Sequence, residues 1–350
     1  MKKVRFGIIS TGLIADFHAK AILSDGRAEL VAVCGHTNPE RVKEFAKEYG
    51  IEKIYSNYKD LAADKEVDAI CVCSPSGLHS IHSIECMKNG KHVLCEKPLD
   101  IDSDAMDEMI KVSKDYDRKL GCVFPNRTRE GLKKAKEIID SGELGKMTTV
   151  ECQYRGYRSP EYFTSSNWKG TKKLDGGGCL MNQGIHAVDT MCWLAGDVES
   201  VYGVSGALLR DIEVEDTAVG ILEFKNGAKG VLMGSTISSV PEEAPEGDRL
   251  RIEFENGAIV YANGKATLYK RDGEEVEKIP LDKDDGPSIS STTDPANIDM
   301  DSHFFIVSNF ITAVLEDVEP YIPGESARKS VDVVLALYES SETGKKIIID

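Results

Sequence analysis

Two short stretches of this sequence carry side chains able to handle a proton and an oxygen atom. The first is Glu96-Lys97-Pro98, in which a cationic hydrogen-bond donor stands between a carboxylate and a residue that fixes the local turn. The second holds Asn182, His186 and Asp189. At roughly 100° per residue on a helix, His186 lies about 40° from Asn182 and Asp189 about 20° to its other side, so the three share one face. Imidazole titrates near neutrality, and an amide or carboxylate beside it can orient a hydroxyl or fix a tautomer. Each stretch also has a plainer reading. Lys97 by itself fits a helix-capping surface residue, and His186 fits a core-facing ring held by Asp189. Position separates the readings, and position comes from the elements around them.

The first 125 residues alternate short apolar strands (4–9, 30–34, 69–73, 92–95, 120–124) with amphipathic helices (13–23, 39–49, 78–88, 102–116). Asn38 caps the second helix, Pro39 takes its first position and Gly50 ends it. Strands apolar on both faces and separated by helices make a parallel sheet covered on both sides, a doubly wound α/β domain over residues 1–125. Lys97 then follows the strand 92–95 at the carboxyl edge, where ligands of open α/β sheets bind. From residue 126 to 350 the pattern is α+β. Asn-Gly turns at 226–227, 256–257 and 263–264 mark a largely antiparallel sheet. Helices are expected at 130–139, 179–194, 302–315 and 324–343, and residues 282–299 read as a loop. Glycines 176–178 would let a ligand or another backbone come close to the helix that carries His186.

The junction of the first strand and helix reads Ser10-Thr11-Gly12-Leu13-Ile14-Ala15. A dinucleotide turn needs a tight bend, a glycine where backbone meets pyrophosphate, and a small residue where helix packs on strand. Ser10 replaces the first glycine, Gly12 keeps the second and Ala15 takes the third, with Leu13 and Ile14 opening the helix. About 20 residues on, where an NAD-binding domain carries an acidic residue for the ribose, this chain has Gly35-His36-Thr37. Nothing there repels a 2′-phosphate, so NADP(H) is slightly preferred over NAD(H). Arg41 lies a turn into the next helix, where a solvated surface arginine is the plainer reading.

Composition limits the partners. With 43 basic and 59 acidic residues the net charge is −16, which argues against nucleic acid or an anionic membrane and for a small molecule. At 41% hydrophobic and 29% charged residues, each of two domains can close its own core. Nine cysteines, none in a Cys-x-x-Cys pair and several inside apolar runs, point to a reducing cytoplasm and no metal site. No secretion signal or membrane-length apolar run is expected.

Taken together, the turn from Ser10 to Ala15, Ser74-Pro75-Ser76-Gly77-Leu78-His79, Gly90 to Pro98, Trp168-Lys169-Gly170-Thr171, the run from Gly176 to Asp189, and Glu325-Ser326-Ala327-Arg328 resemble the Gfo/Idh/MocA family, the glucose-fructose oxidoreductase and inositol dehydrogenase family of NAD(P)-dependent enzymes. The likeness runs over essentially the whole chain. It implies a Rossmann domain, a second α+β domain with an open sheet for substrate binding and association, and catalysis by Lys97 and His186. It also implies that Ser74, Pro75, His79, Glu96 and Lys97 line the cofactor. Members with the inositol dehydrogenase pattern carry an aspartate four residues before the histidine, and this chain has Asn182 there.

The expected function is hydride transfer between nicotinamide and a secondary alcohol or ketone of a sugar, cyclitol or related polyol. His186 serves as acid/base, and Lys97 donates to the reacting oxygen. Asn182 orients a hydroxyl but takes no proton, while Asp189 fixes the His186 tautomer. Arg158, Tyr162 and Trp168, in the segment 154–171, suit a sugar or an acidic sugar, though Trp168 and Lys169 equally suit the nicotinamide. Two other readings stay open: a glycosidase-type elimination with a tightly bound, recycling NAD(P), and a non-catalytic dinucleotide-binding regulator. An open sheet with one apolar face needs a cover, so a homodimer or homotetramer is expected.

Overall fold

The structure, a computed structural model, describes residues 3–35, 37–240, 249–282 and 300–349. The chain divides into two compact units, Met1–Pro125 with Asp299–Arg328 and Asn126–Ile298 with Lys329–Asp350.

The first unit runs β1 (Val4–Ile9), α1 (Leu13–Ser24), β2 (Ala28–Cys34), α2 (Pro39–Tyr49), β3 (Lys53–Tyr55), α3 (Tyr58–Ala63), β4 (Ala69–Val72), α4 (His79–Lys88), β5 (His92–Cys95), α5 (Ser103–Asp115) and β6 (Leu120–Cys122). Its six strands are all parallel, in the order β3-β2-β1-β4-β5-β6. The strand order reverses between β1 and β4, which opens a crevice at their carboxyl ends. Every residue of β4 is buried, as a strand covered on both faces requires. The helix signals act as read: Asn38 accepts from Arg41 N at 3.1 Å, and Gly50 ends α2 at φ +68°. Sequence periodicity does not mark β3 and α3, because a three-residue edge strand with Lys53 half-buried and Ile54 exposed leaves no apolar run.

Ser10 sits at φ +88°, the left-handed region that a glycine occupies without cost. Its amide donates to Cys34 O at 2.8 Å, so the bend is fixed to the end of β2 and cannot relax. A non-glycine residue pays about 1–2 kcal/mol there, against the roughly 0.5–1 kcal/mol by which glycine loosens the unfolded chain. Ser10→Gly is therefore expected to stabilise the protein by about 0.5–1 kcal/mol in urea denaturation, without loss of dinucleotide binding. A lower midpoint would show that the serine side chain contributes more than its backbone costs.

The second unit holds α6 (Glu130–Ser141), β7 (Met147–Arg155), α7 (Pro160–Thr164), a π-helical turn (Cys179–Gln183), α8 (Ile185–Ala195), β8 (Val198–Gly206), β9 (Thr217–Phe224), β10 (Lys229–Ser235), β11 (Arg249–Phe254), β12 (Gly257–Ala262), β13 (Lys265–Asp272) and β14 (Glu275–Pro280). The chain then continues through α9 (Met300–Glu316), α10 (Gly324–Thr343) and β15 (Ile347–Ile348). The nine-stranded sheet has the order β14-β13-β12-β11-β7-β10-β9-β8-β15. All three Asn-Gly turns close hairpins, but the β7–β10 pair is parallel, so the sheet is mixed. One face is the core, with Val150, Cys152, Tyr154, Leu222, Leu232 and Ile252 buried. The other leaves Tyr202, Val204, Val219, Ile221 and Val231 exposed, and cross-strand pairing sets Tyr202 beside Ile221, Ile221 beside Val231, and Val204 beside Val219.

Two expectations change. Helix α9 belongs to the first unit, although the reading assigned everything after residue 125 to the second. It packs on α1 and β1, with Phe310 6.5 Å from Phe6 and His303 5.5 Å from Phe17 between ring centroids. The segment after it runs beside β6, where Cys122 N donates to Ile322 O at 2.9 Å. The expected regular helix over 179–194 is instead a π-turn followed by α8 from Ile185. Residues 283–299 of the expected loop lie outside the described residues.

Candidate active site

In the first unit the carboxyl ends of β1, β2, β4 and β5 carry the residues singled out above. Gly12 is the N-cap of α1 and makes no side-chain capping bond, so the first N–H groups of the helix are left for an anion. A Cβ built on Gly12 would meet nothing nearer than Ser10 Oγ at 3.9 Å, which leaves room for a phosphate, and Ala15 is fully buried against the sheet. Leu13 is exposed and Ile14 half-buried beside it. These residues fit a dinucleotide. At the end of β2, Gly35 is half-buried and Thr37 exposed; His36 lies outside the described residues. Arg41 bends back toward the turn, with Nε 3.4 Å from Thr11 O and Nη2 3.0 and 2.9 Å from the two carboxylate oxygens of Asp16.

Ser74 and Pro75, at the end of β4, are half-buried, and Ser74 Oγ lies 2.9 Å from His82 Nδ1. His79 and Glu96 were expected at the cofactor, but their side chains are committed to protein groups. His79 is 1% exposed and places Nδ1 2.7 Å from Pro98 O and Nε2 2.8 Å from Ser74 O, tying the β4 and β5 loops together. Glu96 is buried, with Oε1 2.8 Å from His18 Nε2 on α1 and 3.9 Å from His303 Nε2 on α9. Its Oε2 accepts from the backbone N of Lys97 at 3.2 Å. Burial would raise this carboxyl, but the hydrogen bond and charge of His18, with His303 and Lys97, hold it down at about 2. Burial would lower His18, but the charges and hydrogen bonds of Cys73 and Cys71 hold it well above the ordinary imidazole range. A buried, hydrogen-bonded imidazole and carboxylate thus stand beside the half-buried Lys97.

In the second unit the π-turn and α8 carry Asn182 and His186, both half-buried. The glycine run before them serves the protein's own backbone: a Cβ on Gly178 would fall 1.8 Å from Glu215 O. Glu215 also fills the place of a bound anion, accepting from Gly178 N at 2.7 Å and Leu180 N at 2.9 Å, and from the Tyr338 hydroxyl at 2.8 Å. A carboxylate 37 residues from its partner gave no local signal. Asp189, expected to serve His186 or a substrate, is fully buried. Its two oxygens accept from Arg127 Nε at 2.9 Å and Nη2 at 2.6 Å. This bidentate pair braces α8 on the short 3₁₀ turn Pro125–Thr128, a partner the helical-face argument could not see.

Arg158, Tyr162 and Lys169 do come together, and the charge of Asp175 acts on the last two. The Tyr162 ring has Lys169 Nζ 4.0 Å from its centroid and the Arg158 guanidinium 5.7 Å away, and its hydroxyl accepts from Gln183 Nε2 at 3.0 Å. Burial lowers Lys169, with Asp175 opposing and Arg158 assisting; burial and the Asp175 charge raise Tyr162. Trp168 is half-buried in the turn before Gly170, its carbonyl accepting from Thr171 Oγ1 at 2.6 Å. Among the described residues no cluster of ligands for a metal ion is present, and no helix is long and apolar enough to cross a membrane.

A family model described as an oxidoreductase family with an NAD-binding Rossmann fold matches residues 4–124, and another described as the GFO/IDH/MocA C-terminal domain matches residues 132–260. The myo-inositol 2-dehydrogenase of Thermotoga maritima is 34% identical over 240 residues, 66% of this chain and 68% of that protein. The D-xylose 1-dehydrogenase (NADP(+)) 2 of Haloferax volcanii is 27% identical over 348 residues, 99% of each chain. Among solved structures, the WlbA dehydrogenase from Bordetella pertussis in complex with NADH and UDP-GlcNAcA matches at 30% identity with a TM-score of 0.85, over 100% of this chain and 99% of that one.

Proposed function

The chain belongs to the GFO/IDH/MocA family of NAD-binding oxidoreductases, and from that premise we propose that it oxidises a secondary alcohol, or reduces the matching ketone, of a sugar, cyclitol or related polyol. The observation that carries this reading is one sheet edge holding both an uncapped helix N-terminus behind Gly12 and a lysine backed by a buried carboxylate. A bound nicotinamide dinucleotide supplies the acceptor or donor of the hydride. Lys97 is assigned the hydrogen bond to the reacting oxygen, where its charge favours alkoxide character. His186 is assigned the proton. Arg158, Tyr162, Trp168 and Asn182 are assigned to the substrate; an aromatic ring flanked by two cations suits a sugar that bears an acidic group.

The finer cofactor reading is a preference for NADP(H). Gly35 offers no carboxylate, and Arg41 brings a cation to the edge of the turn at Thr11. The test is a panel of sugars, cyclitols, sugar acids and a nucleotide sugar acid followed at 340 nm with each cofactor, together with titration of both. Turnover of a polyol is expected, with NADPH binding about tenfold tighter than NADH, the size of one charge-assisted hydrogen bond. No net cofactor turnover with any member would sink the dehydrogenase reading, and tighter NADH binding would sink the ribose assignment.

The apolar row Tyr202, Val204, Val219, Ile221 and Val231 supports self-association through the open sheet face, since a twofold axis lets one such face cover another. Sedimentation at micromolar concentration should give a dimer or tetramer, and Ile221→Lys should shift it toward monomer. A monomeric wild type would refute the assignment.

A further inference from the structure

The carboxylate of Asp175 is 1% exposed, yet it reaches a half-buried residue one turn from His186. Its Oδ2 accepts from Gly170 N at 2.8 Å, and its Oδ1 accepts from Nδ2 of Asn182 at 2.6 Å. An ionised carboxylate only accepts hydrogen bonds, so the Asn182 amide has one permitted orientation: Nδ2 toward Asp175 and Oδ1 on the opposite side. We propose that Asp175 is a positioning residue that makes Asn182 meet the substrate with a carbonyl oxygen, and so selects a substrate that donates a hydroxyl hydrogen there. The proposal rests on the polyol reading above and extends it to one substrate group. It also gives the Asn182 position a carboxylate at one remove: the negative charge is held in the protein, and the neutral amide transmits only its direction.

Substitution of Asp175 can turn the amide over without removing it. In Asp175→Asn, the new Oδ1 keeps the Gly170 N–H and the new Nδ2 faces Asn182, which must then rotate to accept and show its own N–H groups to the substrate. The expected result is a fall in kcat/KM of about 10- to 100-fold, the range of one lost hydrogen bond to a buried polar partner, carried mainly by KM because the contact exists before and during reaction. Adding Asn182→Asp exchanges the two partners: the amide at 175 donates to the carboxylate at 182, and an acceptor again faces the substrate. The double variant is expected to regain most of the loss, a coupling that two independent structural defects would not give. Equal loss in the single and double variants would show that Asp175 only braces the Gly170 turn, and an unimpaired single variant would also overturn the proposal.

A readout that needs no turnover separates this outcome from failure of the polyol reading. In ¹⁵N-labelled protein the Asn182 side-chain amide protons should be shifted downfield and slow to exchange, and Asp175→Ala should abolish both. A fast-exchanging Asn182 amide in the wild type would overturn the proposal whatever the substrate. Slow exchange in an enzyme inactive on every polyol would leave the Asp175 clamp standing and reject the polyol.

Discussion

Lys97→Met is expected to lower turnover by about 10²–10³-fold, the cost of removing one preorganised donor to a developing oxyanion. Dinucleotide affinity and thermal stability should stay close to wild type. The loop that carries Lys97 is shaped by backbone and neighbours: Glu96 accepts from the Lys97 amide, and His79 spans Ser74 O and Pro98 O. Methionine matches the length of the lysine stem, so packing is kept while the charge is lost. The measurement is a steady-state rate at 340 nm set beside a cofactor titration. A near-normal rate would take Lys97 out of the chemistry, and lost cofactor binding would mean that the ammonium holds the dinucleotide instead of the substrate.

His186→Ala should cost about 10²–10⁴-fold in kcat/KM, the range of a lost general base, and should change the shape of the pH profile. Alcohol oxidation needs the imidazole neutral, so the wild-type rate should rise with pH through the imidazole range, and the variant should lose that limb. The variant keeps the His186 carbonyl, which accepts from Thr190 Oγ1 at 2.7 Å within α8. Asp189 is no substitute base: both its oxygens are held by Arg127, and burial pushes its carboxyl up despite that charge. A variant that keeps the ascending limb would show that another group carries the proton.

Local signals were legible and distant ones were not. Ser10, Gly12 and Ala15 could be read as a dinucleotide turn because strand, bend and helix are contiguous, and the Asn-Gly hairpins were equally local. The left-handed backbone at Ser10 had no counterpart in the string of letters, since serine does not advertise it. Glu96 and His79 are placed at the cofactor by the family resemblance alone. Their true partners, His18 and His303 for the first and two carbonyls for the second, are set by tertiary packing. Asp189 failed for the same reason: a helical wheel assigns a face but cannot say that Arg127 waits behind it. The π-turn at Cys179–Gln183 shifts register in a way that 3.6-residue periodicity cannot detect. The parallel β7–β10 pair was hidden because alternation marks a strand, not its direction. Asp175 carries no local signal, since the amide it holds lies seven residues further on.

The place of α9 has a consequence for how the protein is made. The first unit's sheet is complete in sequence once residue 125 has been synthesised, but Phe6 and Phe17 lack Phe310 and His303 until α9 emerges. At about 5–20 residues per second, the intervening stretch takes the ribosome roughly 10–35 s. During that interval a nearly finished nucleotide fold presents an uncovered apolar flank, while β7 to β14 of the second unit are being made. Vectorial synthesis therefore leaves both units open until late: α9 seals the first, and α10 and β15, made after it, complete the second.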